Sequence, residues 1–376
     1  MNKTIGIIGG GQLGMMIIEQ AHLLGAKTIC LDPTPDSPAF KISDEHIVAA
    51  FDDVQALEDL CRRSDVVTYE FENVPGDILI SLEKYIKQGV RPLLDSQDRV
   101  REKNNARENG LTPANFVEVD DMDSLLEGVK KIGYPCIFKT RRLGYDGHGQ
   151  ALLKSDADLE KAAKYLPVPA ILEEFIPFDF EVSIVMVNDG KKIINFPIGK
   201  NIHKDGILDL CIVPAETTLR QAQGSAVAER SLSEAEVTTL IQKIETISKD
   251  FMRRCGYKGI LTIEYFVKGD EVYFNEMAPR PHNSGHYTIE GCNTNQFMEL
   301  CRFLLDMELQ EPQLIAPTIM KNILGQDLDF AKRVASENHP NTYVRIYGKT
   351  ESKPKRKMGH ITFVNMDLQK YEKIFS

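Results

Sequence analysis

Long apolar runs are missing from this 376-residue chain: none approaches the roughly 20 residues of a membrane-spanning helix, and its start does not resemble a signal peptide. The seven cysteines form no C-x-x-C pair, which favours reduced thiols in the cytoplasm over a disulfide framework or a zinc site. Positive charge is in deficit, because the net charge is −10. We therefore expect a cytoplasmic protein that binds neither membranes nor nucleic acids, and this charge is still compatible with local basic pockets for phosphates.

The chain has enough core-forming residues for two or three domains, since 42% of them are hydrophobic and 27% are charged. Strand and helix patterns alternate up to about residue 97, which predicts a small α/β unit with a mostly parallel sheet. We interpret "VRPLLD", near the end of this unit, as a strand, and expect a charged helix over 96–109 after it. The other helices predicted here span 13–25, 54–63 and 76–88.

A second α/β module and a long antiparallel region follow. Predicted helices 121–132 and 155–165 flank a glycine-rich loop. After Phe180, alternating runs separated by turn residues at 188–190 and 269–271 predict β-hairpins.

The last third of the chain contains a polar insertion and a tail module. The insertion, 220–236, leads into a predicted helix over 234–253. The tail, 310–376, has a basic turn, "ESKPKRKMGH", and a last predicted strand, "HITFV".

The N-terminal segment "IGIIGGGQLGMM" contains Gly9, Gly11 and Gly14 in the G-x-G-x-x-G spacing of dinucleotide-binding proteins. Asp32 follows about 20 residues on, where an acid that binds a ribose would lie. The alternative is a βαβ unit whose glycines only allow the first helix to approach the strand. This segment by itself is compatible with an NAD-dependent dehydrogenase and with a protein that binds no NAD.

The strongest local sign of chemistry is "FKTRRLGYDGHGQ". Lys139 ends a predicted strand, and Gly144, Gly147 and Gly149 follow in a loop whose N–H groups can fold over phosphates beside the lysine ammonium. This is not a P-loop, because no G-K-[ST] ends it. The alternative is a glycine-rich hairpin with incidental charge.

A second sign is the hairpin "LTIEYFVKGDEVYFNEM". If its turn centres on Asp270, Glu264 and Glu276 lie directly opposite each other on one face. Opposed carboxylates repel unless a divalent cation lies between them, and ligands that are all oxygen suit Mg²⁺. Asn275 would point to the other face unless the strand bulges. The alternative is an ordinary exposed acidic pair.

Together these segments resemble the ATP-grasp superfamily: a strand lysine, a glycine-rich lid, an "EEF" hinge and a late pair of glutamates. Further motifs, "YEFENVP", "RRLGYDG", "APRPHNSGH" and "YGK…KRKMGH", resemble the family of N5-carboxyaminoimidazole ribonucleotide synthetases over nearly the whole chain. The resemblance implies an α/β and α+β architecture. A Rossmann-like pre-ATP-grasp domain that binds no NAD (1–97) precedes an ATP-grasp domain (98–305, lid 113–177) and a β-rich C-terminal module (306–376) that completes the substrate site.

The resemblance implies the nucleotide site residue by residue. Arg99 and Lys139 hold the ATP phosphates, the lid loop closes over them, and Glu181 binds the ribose. The residues implied to bind ATP are Arg99, Lys139, Gly144, Tyr145, Asp146, Gly147, His148, Gly149, Gln150, Glu173, Glu174, Phe175, Ile176, Glu181, His203, Asn275 and Glu276. Glu264 and Glu276 are implied to bind Mg²⁺, with Mn²⁺ as an alternative.

The resemblance also implies a site for a ribonucleotide monophosphate, which needs convergent cations. Asp146 accepts a proton from the reacting amine, and Lys139 and Arg280 complete the catalytic set. Glu70 and Glu72 are weaker candidates to face this substrate. The residues implied to bind it are Tyr145, Asp146, His148, Arg280, His282, Lys349, Arg356 and Lys357.

The implied reaction carboxylates 5-aminoimidazole ribonucleotide with ATP and bicarbonate, through carboxyphosphate, in purine biosynthesis, and the implied enzyme is a homodimer. Alternatives within the superfamily are a glycinamide ribonucleotide transformylase and a biotin carboxylase. An NAD-dependent dehydrogenase would leave Lys139, the lid and the glutamate pair without a role. A nucleotide-sensing module without activity is disfavoured by an intact metal pair.

Overall fold

The computed structural model describes residues 3–144, 148–216 and 233–375. The elements of its first unit are β1 (Thr4–Ile8), α1 (Gln12–Leu23), β2 (Lys27–Asp32), β3 (Glu45–Val48), α2 (Val54–Arg62) and β4 (Val66–Tyr69). The four strands form one parallel sheet in the order β3-β2-β1-β4. Ile5, Ile7 and Ile8 are fully buried, as expected for a parallel strand covered on both faces. The predicted parallel α/β unit is confirmed.

The end of this unit differs from the prediction. The predicted helix 76–88 is a short helix, α3 (Gly76–Ser81), followed by a 3₁₀ turn at Glu83–Tyr85. The segment "VRPLLD" was predicted as a strand, and this was wrong, because it forms helix α4 (Arg91–Ser96). Pro92 lies in the first turn of α4, where its missing N–H costs no helical hydrogen bond.

The predicted charged helix is α5 (Arg99–Glu108). Asp98 begins it, because the carboxylate accepts hydrogen bonds from the N–H groups of Val100 and Arg101. Arg141 and Arg142 hold the same carboxylate, with Nε to carboxylate-oxygen distances of 2.7 and 3.1 Å. The start of α5 is therefore tied to the loop that follows Lys139.

The second module is a four-stranded antiparallel sheet with two helices. Its elements are β5 (Phe116–Val119), α6 (Met122–Ile132), β6 (Cys136–Thr140), β7 (Gln150–Leu153), α7 (Leu159–Ala163) and β8 (Ala170–Glu174). The strand order is β5-β8-β6-β7, and β6 and β7 flank the glycine-rich loop. The predicted helix 155–165 is shorter, since its first turn is the 3₁₀ turn Asp156–Asp158.

The largest unit is a nine-stranded sheet among the described residues. Its strands are β9 (Phe180–Asn188), β10 (Ile193–Asn195), β11 (Gly199–Lys204), β12 (Ile207–Val213), β13 (Gly259–Lys268), β14 (Glu271–Ala278), β15 (Thr318–Leu324), β16 (Thr342–Ile346) and β17 (Lys357–Val364). The order is β14-β13-β9-β11-β12-β15-β17-β16, with β10 beside β9. Both predicted hairpins and the predicted last strand are present.

Five described helices pack on this sheet or follow its strands: α8 (Glu234–Cys255), α9 (Thr288–Gly291), α10 (Gln296–Leu304), α11 (Leu328–Glu337) and α12 (Leu368–Phe375). Helix α8 begins at a capping box of Ser233 and Glu236 and ends at Gly256, whose φ is +68°. The predicted insertion 220–236 lies mostly outside the described residues. Within the described part of the chain, every helix falls short of the length and apolar character that a membrane crossing requires.

Candidate active site

One large cavity, of about 1020 Å³, is lined by residues from all three sheets and their loops. It brings together most of the residues singled out from the sequence. Those that line it are Glu70, Glu72, Arg99, Lys139, Gly144, His148, Gln150, Glu181, His203, Glu264, Asn275, Glu276, Arg280, His282, Lys349, Arg356 and Lys357.

A cluster of buried cations forms one wall of the part of the cavity that contains Lys139. Lys139 Nζ lies 2.8 Å and Lys103 Nζ 3.0 Å from the two carboxylate oxygens of Glu173. Although burial raises the pKa of Glu173, Lys103, Lys139 and Arg99 lower it to about 2, so the carboxylate stays ionised. Burial lowers the pKa of Lys139, and Glu173 opposes this shift. Lys103 and Lys139 share one carboxylate, which leaves net positive charge for anionic groups of a ligand. Arg99 Nη1 lies 3.7 Å from Glu276 Oε2.

The predicted glutamate pair is confirmed as a cross-strand pair. Glu264 on β13 lies directly opposite Glu276 on β14. Burial and the neighbouring Glu276 raise the pKa of Glu264 to about 8. The register shifts between Glu264 and Tyr265, so that Asn275 is an extra residue on β14 and lines the same cavity. A divalent cation would remove the repulsion between these carboxylates, so the pair fits an oxygen-ligand metal such as Mg²⁺.

His203 and Glu181 form a charged pair in the same sheet as the glutamate pair. His203 Nδ1 lies 2.6 Å from Glu181 Oε2 on the neighbouring strand. Burial lowers the pKa of His203, but Glu181 outweighs burial and raises it to about 9. The imidazolium therefore neutralises Glu181.

The opposite half of the cavity contains Arg280 and the basic turn of the tail. Arg280 Nη2 lies 3.1 Å from Glu72 Oε1. Lys349 Nζ lies 5.8 Å from the centre of the Tyr347 ring, and Arg356 Nη1 donates to the carbonyl of Glu351 over 2.8 Å. This half combines several cations with a carboxylate, as a ligand with both a phosphate and hydroxyl or amino groups requires.

The N-terminal glycine loop also faces the cavity, but carboxylates already occupy its N–H groups. Gly10 N–H donates to Asp32 over 2.7 Å, and Gly11 N–H donates to Glu70 over 2.9 Å. Gly9 has a φ of +108°, and a Cβ on Gly14 would lie 2.4 Å from the Gly9 carbonyl oxygen. The glycines therefore serve close packing of helix α1 on the strand, and a pyrophosphate at this loop would meet two carboxylates.

The chain matches three known families along its length. Residues 1–95 match the family described as ribonucleotide synthetase preATP-grasp domain. Residues 104–237 and 220–297 match the ATP-grasp domain, and residues 318–373 match the phosphoribosylaminoimidazole carboxylase C-terminal domain.

Relatives and solved structures agree with these matches. N5-carboxyaminoimidazole ribonucleotide synthase of Staphylococcus haemolyticus is 40% identical over 376 residues, which cover 98% of this chain and 95% of the relative. The chain belongs to the N5-carboxyaminoimidazole ribonucleotide synthetase family. The Staphylococcus aureus synthetase complexed with ADP superposes with a TM-score of 0.90 at 35% identity, covering 99% of this chain and 95% of that one. The Aspergillus clavatus synthase in complex with ADP and 5-aminoimidazole ribonucleotide gives 0.87 at 28% identity, covering 99% and 96%.

A member of this synthetase family is an ATP-binding ligase of purine biosynthesis, and it catalyses the ATP-dependent carboxylation of an aminoimidazole ribonucleotide. The fold is the expected one, an ATP-grasp domain between a pre-ATP-grasp domain and a small C-terminal module. The alternatives of a dehydrogenase, a transformylase and a non-catalytic module are therefore set aside.

Some residues that the family resemblance implied are not among the cavity residues. The segment 173–176 does not line it: the Glu173 side chain contacts Lys103 and Lys139, and Glu174 accepts a hydrogen bond from Asn115 over 2.7 Å. Tyr145, Asp146 and Gly147 lie outside the described residues.

The sequence reading missed two site residues on α5, Glu102 and Lys103. Lys103 Nζ donates to the Asn275 carbonyl over 3.3 Å, and Glu102 Oε1 accepts from the N–H of Met277 over 2.7 Å. Burial raises the pKa of Glu102 to about 8. Glu102 and Lys103 follow Arg99 by three and four residues, so the three side chains share one face of the helix. This spacing could have identified them from the sequence.

Proposed function

We propose that this cavity carboxylates the exocyclic amine of 5-aminoimidazole ribonucleotide, using ATP and bicarbonate and releasing ADP and phosphate. The observation that carries the proposal is the placement of a buried cation cluster, a carboxylate pair and a basic turn around one cavity. The Aspergillus clavatus relative, which is described as a complex with ADP and 5-aminoimidazole ribonucleotide, supports the two organic ligands.

In the nucleotide half, Arg99 and Lys139 bind the ATP phosphates and spread the charge that develops on the transferring phosphoryl group. Glu264 and Glu276 would hold Mg²⁺ or Mn²⁺, which when bound offsets the negative charge of the phosphates. Glu181 binds the ribose, with His203 beside it. The other residues proposed for this half are the segments 144–150 and 173–176 and Asn275.

The loop that follows Lys139 covers the reacting groups and excludes water, because carboxyphosphate is lost to hydrolysis if water reaches it. In the described part of this loop, Thr140 N–H donates to the Gly149 carbonyl over 2.7 Å, which closes its base. Asp146, which the sequence places in this loop, orients the substrate amine and accepts its proton.

In the substrate half, Lys349, Arg356 and Lys357 bind the ribonucleotide phosphate by charge-assisted hydrogen bonds. Arg280 and His282 line the same cavity, and His282 Nδ1 lies 3.8 Å from Glu264 Oε1, so we assign both to the place where the carboxyl group is transferred. Tyr145 and His148 are further proposed substrate residues, and Glu72 binds a hydroxyl or amino group of the substrate.

We further propose a cytoplasmic homodimer with the domain division 1–97, 98–305 and 306–376. All seven cysteines are unpaired, and six of them are buried, which supports a reducing compartment. The dimer rests on the family resemblance, and sedimentation of the purified chain tests it.

The deciding experiment measures ADP release with and without bicarbonate and 5-aminoimidazole ribonucleotide. We expect bicarbonate-dependent release that the ribonucleotide stimulates, with formate unable to replace bicarbonate. A Glu276→Gln variant should lose this activity, because it removes one of the two carboxylates. Release that is indifferent to both co-substrates, or that formate supports, would contradict the proposal.

A further inference from the structure

A buried glutamine outside the cavity connects two of its histidines. Gln296, at the start of α10, is fully buried, whereas His282 and His286 line the cavity. Gln296 Oε1 accepts from the His282 N–H over 2.9 Å, and Gln296 Nε2 donates to the His282 carbonyl over 2.8 Å. The backbone of His282 thus fixes which end of the amide is oxygen and which is nitrogen.

This orientation decides the hydrogen bonding of His286. Gln296 Nε2 lies 3.1 Å from His286 Nδ1, and its second N–H is the remaining donor of the amide. His286 Nδ1 must therefore accept, so the ring is neutral and carries its proton on Nε2. Burial, followed by the neighbouring groups His360, His282, Lys357 and Arg345, lowers the pKa of His286 well below its ordinary value, in agreement with a neutral ring.

The surroundings hold this arrangement rigidly. A Cβ on Gly285 would lie 2.5 Å from Gln296 Oε1, so the amide fills the space that a side chain there would need. The His360 ring packs 4.9 Å from the His286 ring, and the N–H of Gln296 donates to Thr288 Oγ1 over 3.1 Å. With Nδ1 directed at Gln296, Nε2–H is the polar group that the ring has left for a ligand in the cavity.

We propose that Gln296 is a positioning residue of the substrate half, which fixes His286 as the Nε2–H tautomer so that this ring donates a hydrogen bond to an oxygen of the ribonucleotide. The inference rests on the proposed function for the identity of that ligand. A neutral donor in the cavity that Arg280, Lys349 and Lys357 also line makes binding directional without adding charge, because its single N–H points one way.

The test replaces Gln296 by a side chain of the same shape and opposite hydrogen-bonding character. In Gln296→Glu the carboxylate still accepts from the His282 N–H but no longer donates to the His282 carbonyl. It requires a donor from His286, which moves the proton of that ring to Nδ1 or charges the ring. We expect the KM for the ribonucleotide to rise about 3- to 10-fold, the loss of one hydrogen bond, with the KM for ATP unchanged. Gln369→Glu, at an exposed position of α12, is the matched control.

Two further measurements separate positioning from general damage. Nitrogen NMR of ¹⁵N-histidine-labelled protein, assigned with His286→Gln, should show the proton on Nε2 in the wild type and a changed state in Gln296→Glu. His286→Phe should raise the KM for the ribonucleotide, whereas His286→Gln, which keeps an N–H donor, should have a KM close to that of the wild type. Adding Gln296→Glu to His286→Phe should change the KM little further.

Any of three results would overturn the inference. The His286 ring of the wild type could be protonated on Nδ1, Gln296→Glu could change the KM values for ATP and the ribonucleotide equally, or Gln296→Glu could have its full effect in the His286→Phe background. Failure of the proposed function looks different. In that case wild-type ADP release would not respond to the ribonucleotide, while the NMR experiment would still decide the tautomer.

Discussion

Two glycine-rich loops face the same cavity, and they differ in the charge that lies beneath them. A Cβ on Gly11 in the first loop would lie 2.8 Å from a carboxylate oxygen of Glu70. A Cβ on Gly144 in the second loop would lie 3.3 Å from Nη2 of Arg99. Glycine lets the backbone approach a ligand or a partner group in both places, but only the second loop approaches cations. A glycine motif therefore identifies close approach, and the neighbouring charges decide what is approached.

The largest effect should come from removing a cation beneath the second loop. Lys139→Met should lower the rate of bicarbonate-dependent ADP release roughly 100- to 1000-fold, the range seen when one preorganised charge-stabilising donor is lost. Lys154→Met, at an exposed lysine next to the same sheet, is the control and should keep wild-type activity. If Lys139→Met keeps activity within tenfold of the wild type, the cations beneath the second loop do not serve the reaction, and the proposed difference between the two loops is wrong.

The next effect concerns the substrate phosphate, which the carboxylates at the first loop cannot bind. Arg356→Ala should raise the KM for the ribonucleotide roughly 10- to 150-fold, the loss of charge-assisted hydrogen bonds, while the KM for ATP stays the same. Lys373→Ala makes the same charge change on the exposed terminal helix and should alter neither constant. If the ATP constant rises instead, the basic turn serves the nucleotide.

The first loop can be tested by removing its carboxylate. Glu70→Ala leaves the half-buried Gly11 N–H without its acceptor and should reduce the free energy of unfolding by about 1–3 kcal/mol, measured by urea titration. Glu58→Ala, exposed on α2, should change it far less. Calorimetry of the wild type with NAD(H) should show no binding, and micromolar affinity would reverse our interpretation of the glycine motif.

The smallest effect is a dependence of stability on pH. Burial raises the folded pKa of Glu102 to about 8 from its ordinary 4.5, so the stability it contributes is present below about pH 4.5 and is lost as the pH rises through about 8. The Tm of Glu102→Gln minus the Tm of the wild type should therefore be at least about 2 °C higher at pH 8.5 than at pH 5. Glu108→Gln, exposed on the same helix, should show no such change, and a pH-independent difference for Glu102→Gln would contradict the burial argument.

Local spacing located Lys139, which follows from a strand that ends before glycines. The pairing of Glu264 with Glu276 was predicted from a turn centred on Asp270. In the structure Lys268 pairs with Glu271 around a two-residue turn, which by itself would place Asn275 opposite Glu264, and the bulge at Asn275 restores the predicted pair. The bulge that brings Asn275 to the cavity has no sign in the sequence. Glu102 and Lys103 were missed because α5 is so rich in charge that its buried face has no apolar stripe.

Long-range arrangement was harder to predict. The "VRPLLD" segment combines apolar residues with a proline that suits either a strand edge or a helix start, and only packing decides between them. The pairing of β12 with β15 joins segments about a hundred residues apart, for which no local pattern exists. The residues of the lid tip and of the 173–176 segment keep their roles as predictions from family resemblance.

That pairing has a consequence for how the chain can be divided. Residues 318–364 contribute three strands to the sheet that contains the glutamate pair, so the hydrogen-bonded ladder runs unbroken from β14 to β16. A truncation before β15 would leave β12 as an unpaired edge strand. Leu210 and Ile212 would lose their packing against Ile319 and Ile361, and an exposed apolar edge strand of this kind promotes aggregation. The tail is therefore a structural continuation of the catalytic sheet, and the two should unfold in a single transition.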